Sequence, residues 1–152
     1  MKRLKRALLV LDASCVIMLD RIECLEALKG LGAQIAVTPD VLEESSLQKD
    51  PDGEFVKDHP AIQIRSPDEQ LILPDETLGR GELESMALCR EDSDWRVFVT
   101  DDSRAKRKAN AEGLLTLDSR AVLWTICVSQ SISFHDFRRG MRYLGGQSSG
   151  AN

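Results

Sequence analysis

The sequence predicts an α/β chain, a three-layer α/β/α sandwich with a central parallel sheet. Three observations predict it. Short apolar runs recur at residues 7–11, 34–37, 96–100 and 114–117. Stretches with apolar residues three and four apart separate them. Cap and turn residues (Asp12, Gly32, Thr38-Pro39, Asp101-Asp102, Gly113, Asp118) stand at the junctions.

Ala7-Leu8-Leu9-Val10-Leu11 reads as a buried first strand closed by Asp12. Residues 17–31 carry Ile22, Leu25, Leu28 and Leu31 at helical spacing, and Gly30 and Gly32 stop that helix. Residues 34–37 are a second strand. Thr38 as N-cap and Pro39 in the first turn start a helix carrying Val41, Leu42, Glu43 and Glu44. Residues 48–60 read as a loop with room for one helical turn, and Ile62-Gln63-Ile64 alternates like a short strand. Pro67, Pro74 and several acids make residues 66–77 a loop or a short helix.

Gly79-Arg80-Gly81 leads into a helix over 82–90, striped by Leu83, Met86 and Ala87. Arg96-Val97-Phe98-Val99-Thr100 is the clearest strand. Asp101-Asp102-Ser103 ends it and can cap a helix over 104–112, which Gly113 stops. Residues 114–117 form a fifth strand, and Asp118-Ser119 caps a helix through Val128. A last helix is expected over 134–144. Residues 1–144 read as one domain, and the Gly/Ser-rich residues 145–152 as a disordered tail.

With 152 residues, 42% of them hydrophobic and 30% charged, the chain has the composition of an ordinary globular protein. Its net charge of −5 excludes gripping nucleic acid with the whole surface, so such binding needs local basic patches or a bridging metal. Met1-Lys2-Arg3-Leu4-Lys5-Arg6 ahead of an apolar run imitates a signal peptide, but Asp12 interrupts the run and no convincing cleavage site follows. No stretch is long enough to span a bilayer, so a cytoplasmic location is expected. Cys15, Cys24, Cys89 and Cys127 form no C-x-x-C pair, and His59 and His135 lie far from them in sequence. Buried reduced thiols are expected rather than a zinc site.

Four acidic positions stand where strand-like patterns give way to helix-like ones: Asp12, Glu43/Glu44, Glu82/Glu84 and Asp101/Asp102. In open parallel sheets ligands bind outside the carboxyl ends of the strands. Asp12 and Asp101/Asp102 follow strands, Glu44 lies one to two turns into a helix starting there, and Glu82 begins another. Each acid alone has a plainer role as a turn, cap or solvated residue. Gathered at one edge, they would bind a hard cation such as Mg²⁺ or Mn²⁺. Walker, G-x-G-x-x-G and G-x-S-x-G motifs are absent.

Leu11-Asp12-Ala13-Ser14, Thr38 through Glu44, Leu78-Gly79-Arg80-Gly81-Glu82-Leu83-Glu84-Ser85 and Val99-Thr100-Asp101-Asp102-Ser103-Arg104 together resemble the PIN-domain family, which includes VapC-type toxin ribonucleases. The order and approximate spacing match over residues 7–125. The resemblance implies a Mg²⁺- or Mn²⁺-dependent ribonuclease in which Asp12, Glu44, Glu82 and Asp101 or Asp102 hold the metal. Ser14 would support the first carboxylate, and Thr100 or Ser103 the last. Glu43 and Glu84 are ambiguous neighbours, because adjacent and i,i+2 residues on a helix diverge. After the fifth strand the chain has Leu117-Asp118-Ser119-Arg120, where the closest branch has a Gly-Thr-x-Gly turn, and Asp118 becomes a candidate outer group.

The toxin reading further implies an RNA substrate, an antitoxin partner and a possible homodimer, with no membrane. Arg80, Arg104, Arg107 and Lys108 are the candidate phosphate contacts, and Lys106 is expected on another helical face. Arg138, Arg139 and Arg142 form a second basic group. Aromatic residues are 5% of the chain, which does not support a base-stacking platform, and Trp95 and Trp124 are expected in core or edge packing. The alternatives are a PIN-like module that binds RNA or protein without cutting, and a receiver-like signalling domain.

Overall fold

Leu8–Leu11 (β1) occupies the middle of a five-stranded parallel sheet in the computed structural model, which describes residues 7–47, 59–129, 135–136 and 138–142. The other strands are β2 (Gln34–Val37), β3 (Ile62–Ile64), β4 (Arg96–Val99) and β5 (Leu115–Leu117). Their order is β3-β2-β1-β4-β5, and every neighbouring pair is parallel. The chain builds outward from β1 to β3, crosses back, and builds outward again from β4 to β5. The gap between β1 and β4 is therefore the point where the strand order reverses, the place where α/β sheets open a crevice.

Among the described residues the sheet is covered by α1 (Ala13–Arg21), α2 (Leu25–Gly30), α3 (Pro39–Leu47), α4 (Arg80–Arg90), α5 (Ser103–Ala111) and α6 (Ser119–Val128). All four residues of β1 are buried, as a strand covered on both faces requires. Leu9 and Leu11 point into one core with Val16 and Leu19 of α1, Leu28 of α2, Val41 of α3, and Leu123 and Ile126 of α6. Leu8 and Val10 point into the other with Phe98, with Met86 and Leu88 of α4, and with Ala105 and Ala109 of α5. Each fully buried large side chain contributes about 1.5–3 kcal/mol, so two apolar faces on one sheet make the three expected layers.

Residues 17–31 do not form the single expected helix. The helix starts at Ala13, capped by Asp12, and stops at Arg21. Glu23 then takes a left-handed φ of 59° before α2 begins. The apolar spacing of Ile22, Leu25, Leu28 and Leu31 runs across this break, so periodicity alone conceals it. Gly32 and Gly113 adopt the positive φ that ends α2 and α5. The expected helix start at Thr38 is present: its Oγ1 accepts the Val41 N–H at 3.4 Å. Residues 69–71 form one turn of 3-10 helix. Residues 135–136 and 138–142 are helical, within the expected last helix. Residues 48–58 and the tail 145–152 lie outside the described residues.

The cysteines are unpaired, as expected. Burial pushes the Cys15 thiol well above its ordinary pKa and those of Cys24 and Cys89 up to about 11 and about 12, which keeps them unreactive. Among the described residues no helix is long and apolar enough to cross a membrane.

Candidate metal centre

Register places the first carboxylate. Leu11 pairs with Val99, so Asp12 and Thr100 leave their strands side by side. The Asp12 N–H donates to the Val99 carbonyl at 3.1 Å, and the Thr100 N–H to the Leu117 carbonyl at 3.0 Å. Asp12 is 5% exposed, and three donors hold it. Its Oδ1 accepts the Cys15 N–H at 3.0 Å and the Ser14 hydroxyl at 3.2 Å, and its Oδ2 accepts the Thr100 hydroxyl. Asp12 is thus both the N-cap of α1 and a buried acid. Burial drives its pKa up, the hydrogen bonds oppose that, and nearby Asp101 adds to the rise.

Ser14 supports Asp12, as expected. Thr100 differs from expectation: its hydroxyl serves the first carboxylate, and it also accepts the Asp102 N–H at 3.1 Å. Ser103 contributes its carbonyl, which accepts from Arg107 Nε at 3.4 Å.

The two acids after β4 are held separately. Asp101 Oδ1 accepts the Ser119 N–H at 2.8 Å and Oδ2 accepts the Ser119 hydroxyl at 2.6 Å, which ties it to the start of α6. Asp102 caps α5, its Oδ1 accepting from the N–H groups of Arg104 and Ala105 at 2.8 and 3.2 Å. Ser119 is fully buried, and nothing in its neighbours' residue types marks it as the holder of Asp101.

Helix packing separates the ambiguous glutamates. α3 packs between α1 and α4. Glu84, 8% exposed, accepts the Asp40 N–H at 3.2 Å and so caps the start of α3 rather than joining Asp12. Arg80 Nε lies 2.9 Å from Asp40 Oδ2 and 3.9 Å from Glu84 Oε2, so this candidate phosphate contact is committed to an ion pair. Glu82 turns the other way. Its Oε1 accepts the Gly79 N–H at 3.1 Å, one half of a capping box. Its Oε2 is buried without a hydrogen-bond partner, the single such side-chain oxygen or nitrogen among the described residues. Burial raises the Glu82 pKa, with further increments from Asp102, Asp12 and Glu44. Burial also raises that of Glu44; the Gly81 amide opposes the rise, and Asp40, Asp12 and Glu43 add to it.

Pairwise electrostatics link these acids: Asp12 feels Asp101, Glu44 feels Asp12, and Glu82 feels Asp102, Asp12 and Glu44. Among the described residues, however, no three His, Cys, Asp or Glu side chains are grouped closely enough to hold a metal as they stand. The donor chemistry still suits a hard cation: the set is all carboxylate, and one buried carboxylate oxygen lacks any partner.

Of the other cations, Lys108 Nζ pairs with Asp75, holding that carboxyl well below the usual range, and Lys106 Nζ lies 3.6 Å from Asp118. Asp118 is the N-cap of α6, accepting the Ala121 N–H at 2.7 Å. Arg104 and Arg107 are exposed on α5. Trp95 and Trp124 are not core residues: they are 45% and 60% exposed and line a groove of about 410 Å³ with Val97, Leu115 and Val128. None of the candidate metal acids borders it.

A family model described as a PIN domain matches residues 8–137, most of the chain. None of the curated proteins compared with the chain matches it.

Proposed function

The chain belongs to the PIN-domain family, whose members are generally nucleases, and we propose that it is a Mg²⁺- or Mn²⁺-dependent endoribonuclease acting as the toxin of a toxin–antitoxin pair in the cytoplasm. The observation that supports this best is the unpartnered, buried Glu82 Oε2 in the electrostatic company of Asp12, Glu44 and Asp102. A buried carboxylate oxygen without a donor is costly, and a cation removes the cost.

Asp12, Glu44 and Glu82 would hold the cation, with Asp101 or Asp102 completing the set. When bound, a divalent cation supplies a water of lowered pKa and offsets charge on the phosphodiester. Asp12 stays fixed between Thr100, Ser14 and the Cys15 amide, while Glu44 and Glu82, on helices, turn toward it. Arg104 and Arg107 orient the RNA backbone from the first turns of α5. An antitoxin, or a second copy, needs apolar surface to cover, and Trp95, Trp124 and Val128 expose such surface away from the acids.

A second reading, a module that binds RNA or protein without cutting, is favoured by the carboxylates' not being gathered at ligating distance. One experiment separates the two. Purified chain is incubated with structured RNA and Mn²⁺, with EDTA, and with the Asp12→Asn variant. Cleavage that EDTA and the substitution both stop supports the nuclease. RNA retained intact by a protein that binds it would replace that reading with the second.

A further inference from the structure

We propose that Gly81 is a positioning residue for Glu44: its bare Cα is the opening that lets the Glu44 carboxylate reach the amino end of α4. The inference deepens the nuclease reading above and rests on it. A Cβ placed on Gly81 would lie 2.7 Å from Glu44 Oε1, 3.4 Å from Glu44 Cδ and 3.0 Å from Val41 Cγ2. Carbon and oxygen do not approach so closely without bonding, so something must move. Val41 is 1% exposed and fixed in the core, and cannot yield. The free end of the Glu44 side chain is what would be displaced.

The same glycine also acts through its amide, which opposes the burial-driven rise of the Glu44 pKa. That amide belongs to the first turn of α4, where an N–H has no acceptor within its own helix and the helix end favours negative charge. Glycine is otherwise a poor choice inside a helix, since alanine is the better helix former. Gly81 has no positive φ to excuse it. The steric contact with Glu44 is the reason the structure offers. Without a side chain at position 81, the Glu44 carboxylate keeps its place against the amino end of α4, within electrostatic reach of Asp12. With one, the carboxylate swings outward and one metal-binding group leaves the set.

The test is a double-mutant cycle on the full chain, with Mn²⁺ as the probe. Mn²⁺ affinity is measured by titration calorimetry for the parent, Gly81→Ala, Glu44→Gln, Glu44→Ala and the pair Gly81→Ala/Glu44→Ala. Metal-free melting temperatures are recorded for the same proteins. Gly81→Ala is expected to weaken Mn²⁺ binding tenfold or more, as Glu44→Gln does. In the Glu44→Ala background it should cost no further affinity. The melting temperature should fall for Gly81→Ala alone and recover in the pair, because removing the carboxylate removes the clash and leaves the better helix former. Those temperatures carry the cycle where Mn²⁺ binding is too weak to measure. Parent-like Mn²⁺ affinity in Gly81→Ala, with loss in Glu44→Gln, would overturn the role of Gly81 and leave Glu44 a ligand. Equal, additive losses in both backgrounds would overturn it too. Parent-like affinity in Glu44→Gln would remove Glu44 from the metal set and Gly81 with it.

Discussion

The two halves of the acidic crevice are built differently. On the β1–β4 side, Asp12 sits at the end of a buried central strand and accepts from Cys15, Ser14 and Thr100. On the α3–α4 side, Glu44 and Glu82 stand on helices; Glu82 Oε1 takes the Gly79 N–H, and its Oε2 takes nothing. The first half is fixed by the fold itself, whether or not a ligand is present. The second is satisfied only in part and has capacity left over. On the proposed metal-site reading, the set would have one anchor held by three hydrogen bonds and two helix-borne acids with acceptor capacity to spare.

The comparison breaks most completely at its anchor. Asp12→Asn keeps the helix cap, since asparagine caps as well as aspartate. It should nonetheless reduce Mn²⁺-dependent RNA cleavage by more than the ~10–100-fold expected when only a residue supporting a ligand is changed. Far-ultraviolet circular dichroism should match the parent. Cleavage at the parent rate would remove Asp12 from the metal set.

Thr100→Val tests whether the anchor's rigidity has a function. It removes a buried hydroxyl that donates to Asp12 and accepts from the Asp102 N–H. A loss of about 1–3 kcal/mol of stability is expected from urea unfolding, together with a drop in cleavage of about 10–100-fold. Unchanged cleavage in a destabilised variant would make Thr100 purely structural.

The adjustable side is sharpened by pH. Burial raises the pKa of Asp12, Glu44 and Glu82 in the folded chain, so the folded state holds these protons more tightly than the unfolded state. Metal-free stability attributable to them is then present at low pH and lost as pH rises from the ordinary carboxylate range through the raised values. The melting temperature in EDTA should increase as pH is lowered from neutrality toward the ordinary carboxylate range. With Mn²⁺ the trend should reverse, because protons compete for the same oxygens. Parallel curves with and without Mn²⁺ would argue against a shared carboxylate site. Asp75 works in the opposite sense: its pKa is depressed by Lys108, so that pair weakens only in stronger acid.

The smallest effect is expected at the rim. Arg104→Ala with Arg107→Ala should lower the salt dependence of RNA binding, by about 0.7 in slope for each single-strand phosphate that the variant no longer neutralises. Lys106→Ala should leave that slope alone, since Lys106 faces Asp118. Lys108→Ala should act on stability through Asp75. An unchanged slope in the arginine double variant would shift attention to Arg138, Arg139 and Arg142.

Much of this was legible in the sequence, for identifiable reasons. Strands buried on both faces read as uninterrupted apolar runs, so β1 and β4 were plain, and their parallel arrangement put Asp12 and Thr100 at one edge. Thr38-Pro39 marked α3 because cap chemistry is local. The break at Glu23 was hidden, because the apolar spacing continues through it. The choice between Glu82 and Glu84 was open in the sequence, since it depends on which neighbour each meets: Glu82 accepts from Gly79 and keeps one buried oxygen unpartnered, while Glu84 meets the amino end of α3. Ser119's hold on Asp101 spans β5 and leaves no short-range pattern. The Lys108 and Arg80 ion pairs were equally out of reach, since both depend on acids supplied by other segments.

The bond between Asp12 and Thr100 joins positions 88 residues apart. Its consequence appears during synthesis. A ribosome releases β1, β2 and β3 long before β4, and β1 then has only one of its two neighbours. The Asp12 carboxylate lacks its threonine, and Asp101 and Asp102 do not yet exist. Contacts of such long range form late. A nascent or truncated chain ending before β4 therefore lacks the Thr100 bond to Asp12 and both acids after β4, and the acidic set can assemble only once β4 and the turn after it have been made.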